Sequence, residues 1–227
     1  MKPTVLLFDV DGTLVTTCGA GRRAIERAFE LRHGTKEILN FSFGGMTDKA
    51  IVRDALLALG RPSLPESEME DMLRFYLEVL TEEVARTRIR IHDGMARAMD
   101  MADARPEVAL GLGTGNIRKG AEIKLGCVGI YHRFSFGGFG DDSIDRPTLL
   151  MAGARRGADK LGLAIEDCRI VIIGDTPKDV AGAKAIGAES IAVATGMHGI
   201  AELKQCDPTA AFENLADPRA EVALFGR

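Results

Sequence analysis

Phe8-Asp9-Val10-Asp11-Gly12-Thr13-Leu14 decides how this chain folds. Ahead of it runs Thr4-Val5-Leu6-Leu7-Phe8, a short apolar stretch of the kind that forms a buried strand. The strand stops on an acid, a second acid follows two residues later, and Gly12-Thr13 turns the chain sharply. Carboxylates placed this close repel unless a cation, a shared proton or hydrogen bonds offset the charge. A hard divalent cation such as Mg²⁺ answers that need with oxygen ligands. The plainer alternative is a strand ending in a solvated polar turn.

Working outward, residues 16–89 offer helices and no convincing strand. Gly21 to His33 places Ala24, Ile25, Ala28 and Phe29 on one stripe, and Gly34 closes it. Thr47 suits an N-cap for a helix to Leu59, closed by Gly60 and Pro62. Glu66 to Arg86 carries Met69, Met72, Leu73, Tyr76 and Leu80 at helical spacing on a charged surface. From Asp93 the pattern alternates. Helices are expected over Gly94–Ala104, Ile117–Leu125, Pro147–Leu161 and Lys178–Ile186. Strands are expected at Val108–Leu112, Phe134–Phe136 (weak), Ile170–Ile173, Ser190–Ala194 and Ala210–Phe212 (an edge). Alternation of this kind implies right-handed crossovers and a parallel sheet covered on both faces. The expected fold is therefore α/β: a Rossmann-like core from residues 1–15 and 90–227, with an all-helical insertion over 16–89.

The whole chain sets bounds on function. Its 227 residues, 46% hydrophobic and 27% charged with net charge -4, suit a globular protein. That balance gives no electrostatic case for nucleic acid or an anionic membrane surface. No apolar run reaches the roughly 20 residues a bilayer needs. The start is too short for a signal peptide, so a cytoplasmic location is expected. Cys18, Cys127, Cys168 and Cys206 form no Cys-x-x-Cys pair and read as reduced thiols. Gly111-x-Gly113-x-Gly115 lacks the dinucleotide-loop spacing.

Ligands of open parallel sheets bind beyond the carboxyl ends of the strands. There the chain places Asp9 and Asp11, Gly113-Thr114-Gly115-Asn116, Asp145-Arg146-Pro147, and Gly174-Asp175-Thr176-Pro177-Lys178-Asp179. Carboxylates for Mg²⁺, with a hydroxyl, helix amides and a guanidinium for an anion, suit phosphoryl transfer.

This set resembles the four motifs of the haloacid-dehalogenase (HAD) superfamily. Asp9-Val10-Asp11-Gly12-Thr13 is similar to motif I, Thr114 to motif II, and Gly174-Asp175 with Asp179 to motif IV. The helical insertion lies where phosphoglycolate-phosphatase-like members carry a C1 cap. The resemblance implies that Asp9 attacks phosphorus and that Asp11 acts as acid, then base. It implies that Asp9, the Asp11 carbonyl and Asp175 ligate Mg²⁺, with Asp179 ligating or orienting through water. Thr114, Gly115, Asn116 and Thr13 would serve the phosphate, and Thr47 a specificity loop. The motif III position departs from the usual Lys: Arg146 stands there, with Lys119 and Lys178 as substitutes and Asp141, Asp142 or Asp145 as a brace. The implied activity is Mg²⁺-dependent hydrolysis of a small phosphorylated metabolite. A β-phosphoglucomutase-like mutase and a non-catalytic phosphoryl-ligand binder are the alternatives. Lys49 keeps phosphonate hydrolysis open, and His198 lies within reach of the site mouth.

Overall fold

The computed structural model describes residues 2–60 and 63–226. Strand β1 (Thr4–Phe8) is followed by the short β2 (Val15–Thr16) and helices α1 (Ala20–His33), α2 (Asp48–Ala58) and α3 (Glu66–Ala85). Then come β3 (Arg90–Ile91), α4 (Met95–Asp103), β4 (Val108–Gly113), α5 (Arg118–Gly126), β5 (Gly137–Gly138) and α6 (Arg146–Leu161). The chain ends with β6 (Arg169–Gly174), α7 (Pro177–Ala185), β7 (Glu189–Val193), α8 (Ile200–Gln205), β8 (Ala210–Phe212) and α9 (Arg219–Phe225).

The main sheet has six strands in the order β5-β4-β1-β6-β7-β8, every neighbouring pair parallel. β1 is central, and the chain fills one side of it before crossing to the other. That reversal leaves a crevice at the strands' carboxyl ends. Register aligns those ends: Phe8 stands beside both Leu112 and Ile173. Asp9, Gly113-Thr114 and Gly174-Asp175 therefore leave the sheet side by side.

All five residues of β1 are buried, as a central strand covered on both faces requires. Leu6 and Phe8 enter the cluster that also contains Ile25, Phe29, Tyr76 and Leu80 of the inserted helices. Val5 and Leu7 face the opposite way, against Leu149, Leu150 and Ala154 of α6. Thus α1 and α3 are built on the core itself, and each burying helix carries its apolar stripe at the spacing expected.

Three local expectations change. The weak strand at Phe134–Phe136 lies downstream, at Gly137–Gly138. Phe134 and Phe136 are buried in irregular chain, and the ladder begins where Leu112 N–H donates to the Phe136 carbonyl (3.1 Å). Glycine is required there because a Cβ on Gly138 would strike the Leu149 backbone of α6. Second, the ends of the helical insertion are not strand-free: β2 and β3 pair antiparallel, Val15 with Ile91 and Thr16 with Arg90. Two residues each give too little pattern for periodicity to register. Third, α8 and α9 add short helices where no element was expected. Gly34 closes α1 with φ 73°, as its position suggested. Pro62, the second stop offered for α2, lies outside the described residues. Among the described residues no helix is long and apolar enough to cross a membrane.

Candidate active site

A cavity of about 650 Å³ opens at the carboxyl ends of β1, β4 and β6, roofed by the inserted helices. Asp9, Asp11, Thr114, Gly115, Asn116, Arg146 and Asp175 all line it. Asp9 is 6% exposed, Asp175 4% and Asp179 1%. Oxygens of these three carboxylates lie within 4.8 Å of one another. Arg146 reaches into this group from the first turn of α6, 3.2 Å from Asp9 and hydrogen-bonded to Asp179. Its Nε has no partner among the described residues although it is buried.

Each acid is held by local chemistry. Asp9 accepts a hydrogen bond from Val10 N–H (2.8 Å). Burial pushes its pKa up to about 6 against the opposing pull of Arg146. Asp175 accepts from the Thr13 hydroxyl at 2.9 Å. Burial, with Asp9 and Asp179 beside it, pushes Asp175 up to about 8. Asp179 closes a capping box with Thr176 at the start of α7, so helix formation itself fixes its carboxylate. Three buried acids with one guanidinium leave negative charge uncompensated. That donor set suits a hard divalent cation, and Asp9, Asp175 and Asp179 are the residues able to hold it.

Asp11 faces different partners. Its carboxylate accepts from Lys124 Nζ (2.6 Å), Asn116 Nδ2 (2.8 Å) and the Thr17 hydroxyl (2.9 Å). Burial opposes its charge, yet Lys124, Asn116 and Thr17 together hold the carboxyl below its usual range. Asn116 also donates to Thr114 Oγ1 (2.9 Å), which joins motif I to the loop after β4.

The inserted helices are clasped to that loop. Asp48 N–H donates to the Gly115 carbonyl (2.9 Å), and Asp48 Oδ2 accepts from Ile117 N–H (3.0 Å). A Cβ on Gly115 would strike the Met46 carbonyl, so glycine is what permits the approach.

The structure places several of the expected residues outside the cavity lining. Thr13 is fully buried behind the cavity wall and holds Asp175. Thr47 is 1% exposed and spends its hydroxyl capping α2, accepting from Ala50 N–H (3.1 Å). That side chain is buried and stands outside the cavity lining. Lys49 donates to the Asp141 carbonyl (3.2 Å) and stands outside the cavity lining. Lys119 pairs with Glu122 on the surface, and Lys178 is exposed. None of the three nearby acids braces Arg146. Asp142 binds Arg156, Asp145 caps α6, and Asp141 accepts from Arg118 N–H. His198 does line the cavity mouth, its Nδ1 2.8 Å from Glu202.

Lys124 and Asp48 escape the sequence reading, in which Tyr76 stands only on the apolar stripe of α3. Lys124 had a legible signal, since it shares the buried stripe of α5 with Gly120, Ala121 and Leu125. A lysine on that stripe needs a buried acid.

Residues 147–218 match the family model described as HAD-hydrolase-like. No curated protein matches the sequence. Among solved structures, a hydrolase from Pseudomonas syringae superposes with TM-score 0.71 at 20% identity, over 99% of this chain and 100% of that one. A predicted phosphoglycolate phosphatase from Haemophilus somnus gives 0.68 at 20% identity, over 95% and 96%. A haloacid dehalogenase-like family protein from Streptococcus pneumoniae gives 0.63 at 18% identity, over 96% and 97%. The chain shares the fold of these structures over 95–99% of its length.

Proposed function

We propose that this protein is a phosphoric monoester hydrolase acting on a small phosphorylated metabolite through an aspartyl-phosphate at Asp9. The observation that carries the reading is the cluster of Asp9, Asp175 and Asp179, with Arg146 wedged among them and Thr114 on the same cavity wall. Mg²⁺ held by Asp9, Asp175 and the Asp11 carbonyl, with Asp179 beside them, would offset carboxylate charge and polarise the phosphoryl oxygens.

Asp9 attacks phosphorus as the bond to the ester oxygen breaks. Asp11 gives its proton to that oxygen. The incoming phosphate raises the proton affinity of Asp11, against the pull of Lys124. Asp11 then takes a proton from the water that attacks the aspartyl-phosphate, and Asp9 is regenerated with release of phosphate. In this second step the Lys124 contact favours the base form. Acid–base help of this type contributes typically about 10²–10⁴-fold. Arg146 and Thr114 hold phosphoryl oxygens, and the unpartnered Nε of Arg146 is a donor for one of them.

Residues 16–89 act as a cap on a catalytic core of residues 1–15 and 90–227, with the paired β2 and β3 as the hinge. Closure excludes water from the site during the reaction.

The test is phosphate release from a panel of phosphomonoesters, with Mg²⁺ and with chelator, by wild type and Asp9→Asn. Release that needs Mg²⁺ and vanishes in the variant supports the hydrolase. Isomerisation of a phosphosugar without net release would replace it with a mutase.

A further inference from the structure

The inner wall of the cavity holds polar groups that the proposed chemistry leaves unused. Tyr76, on α3, is fully buried and lines the cavity, yet its hydroxyl has no hydrogen-bond partner among the described residues. Buried hydroxyls are rarely left in that state, because the lost water contact goes uncompensated. Lys124 is 3% exposed and donates to Asp11 and Asn116. An ammonium has three N–H groups, so one remains to be given.

Both groups face one gap. Gly21, in the first turn of α1, lacks a side chain there: a Cβ would stand 3.1 Å from Lys124 Nζ and 4.0 Å from Tyr76 Oη. The gap adjoins Asp11, and hence the side of the site where the leaving oxygen must sit if Asp11 protonates it.

We propose that Tyr76, Lys124 and the gap at Gly21 form a subsite for a hydroxyl oxygen of the leaving group, selecting polyol monophosphates. This deepens the phosphatase reading and rests on it for the position of the ester.

Lysine can only donate, so the atom it receives is an acceptor. Tyr76 donates as well, because burial together with Asp48 and Asp11 keeps its phenol protonated. A hydroxyl oxygen accepts both bonds through its two lone pairs. A carboxylate would also accept, but charge opposes it. The Lys124 cation already faces Asp11 at 2.6 Å and feels Asp48 beyond it. Adding a carboxylate would place a third anion around one ammonium. A neutral oxygen meets no such penalty.

The experiment compares three esters of one carbon skeleton: glycerol phosphate, propyl phosphate and phosphoglycerate. Binding to Asp9→Asn is measured by calorimetry in Mg²⁺, and kcat/KM with wild type. Glycerol phosphate is expected to exceed propyl phosphate about tenfold or more, the worth of one or two hydrogen bonds. Phosphoglycerate should fall below glycerol phosphate. Adding Tyr76→Phe removes one of the two bonds and should cut the ratio of glycerol to propyl phosphate by about threefold or more. Gly21→Ala fills the gap with a better helix former and should shrink the same ratio in a protein that stays folded. Equal use of glycerol and propyl phosphates, a ratio that survives both substitutions, or a preference for phosphoglycerate would overturn the subsite. Binding that shows the expected ratios without phosphate release from any ester would instead sink the hydrolase reading and leave the subsite standing. No binding of any ester would overturn the subsite.

Discussion

Mg²⁺ affinity should depend steeply on pH, and the carboxylates fix both sign and size. The pKa of Asp9 lies at about 6 and that of Asp175 at about 8, each raised first by burial. A ligating carboxylate must be ionised, so protons compete with the metal. At pH 8 about half of Asp175 and nearly all of Asp9 are ionised; at pH 6 the fractions are about one in a hundred and one half. The product of the two falls by on the order of a hundredfold, or about 3 kcal/mol of binding free energy. Folding stability of the metal-free protein runs the opposite way. A carboxyl raised in the folded state binds more protons there than when unfolded, so stability falls as pH climbs from the unfolded value towards the folded one. Asp9 alone costs about 3 kcal/mol by pH 7, from a rise of about two units at 1.36 kcal/mol each. Without metal the protein should therefore melt lower at pH 8 than at pH 5, and Mg²⁺ should reverse the order. The assay is calorimetric titration of Mg²⁺ between pH 6 and 8 in buffers of different ionisation enthalpy, which counts released protons. A change under about threefold, with no proton released, would refute this account of the acidic cluster.

Two substitutions separate machinery from scaffold. Arg146→Ala leaves Asp9 and Asp179 buried without their guanidinium, at a cost of about 3–5 kcal/mol. The melting temperature should fall by on the order of 10 °C, and kcat/KM by about 10²-fold or more; Arg146→Lys should recover part of each. Wild-type activity in Arg146→Ala would move phosphate anchoring to another cation. Thr47→Ala should cost about 1 kcal/mol of stability through the lost helix cap. Its kcat/KM should stay within about twofold, since Thr47 is buried outside the cavity lining and its side chain caps a helix; a larger loss would return Thr47 to the substrate.

The parts legible in sequence were those whose cause is local. A five-residue apolar strand ending on Asp9, a Pro-started helix at Arg146 and a helix opened after Gly174-Asp175 each announce themselves within a few positions. The faces that α1 and α3 bury follow from their apolar stripes. What stayed hidden depends on residues far apart. Asp11 meets Lys124 across 113 positions, and Thr13 meets Asp175 across 162. Neither partner's neighbourhood signals the other. Thr47 shows the opposite case. Its residue type and position fit both a cap and a ligand contact, and the structure shows the cap through the bond from Ala50 N–H. The β2–β3 pair was missed for a further reason, because two-residue strands have no period.

The central claim is a covalent bond between Asp9 and phosphorus. Wild-type protein turning over a phosphomonoester in Mg²⁺ should be quenched in acid, digested and mapped by mass spectrometry. The account predicts a phosphoryl group on the peptide containing Asp9, absent from Asp9→Asn and lost on brief exposure to base. Turnover with no phosphoryl group at Asp9, or with one on another residue, would contradict it.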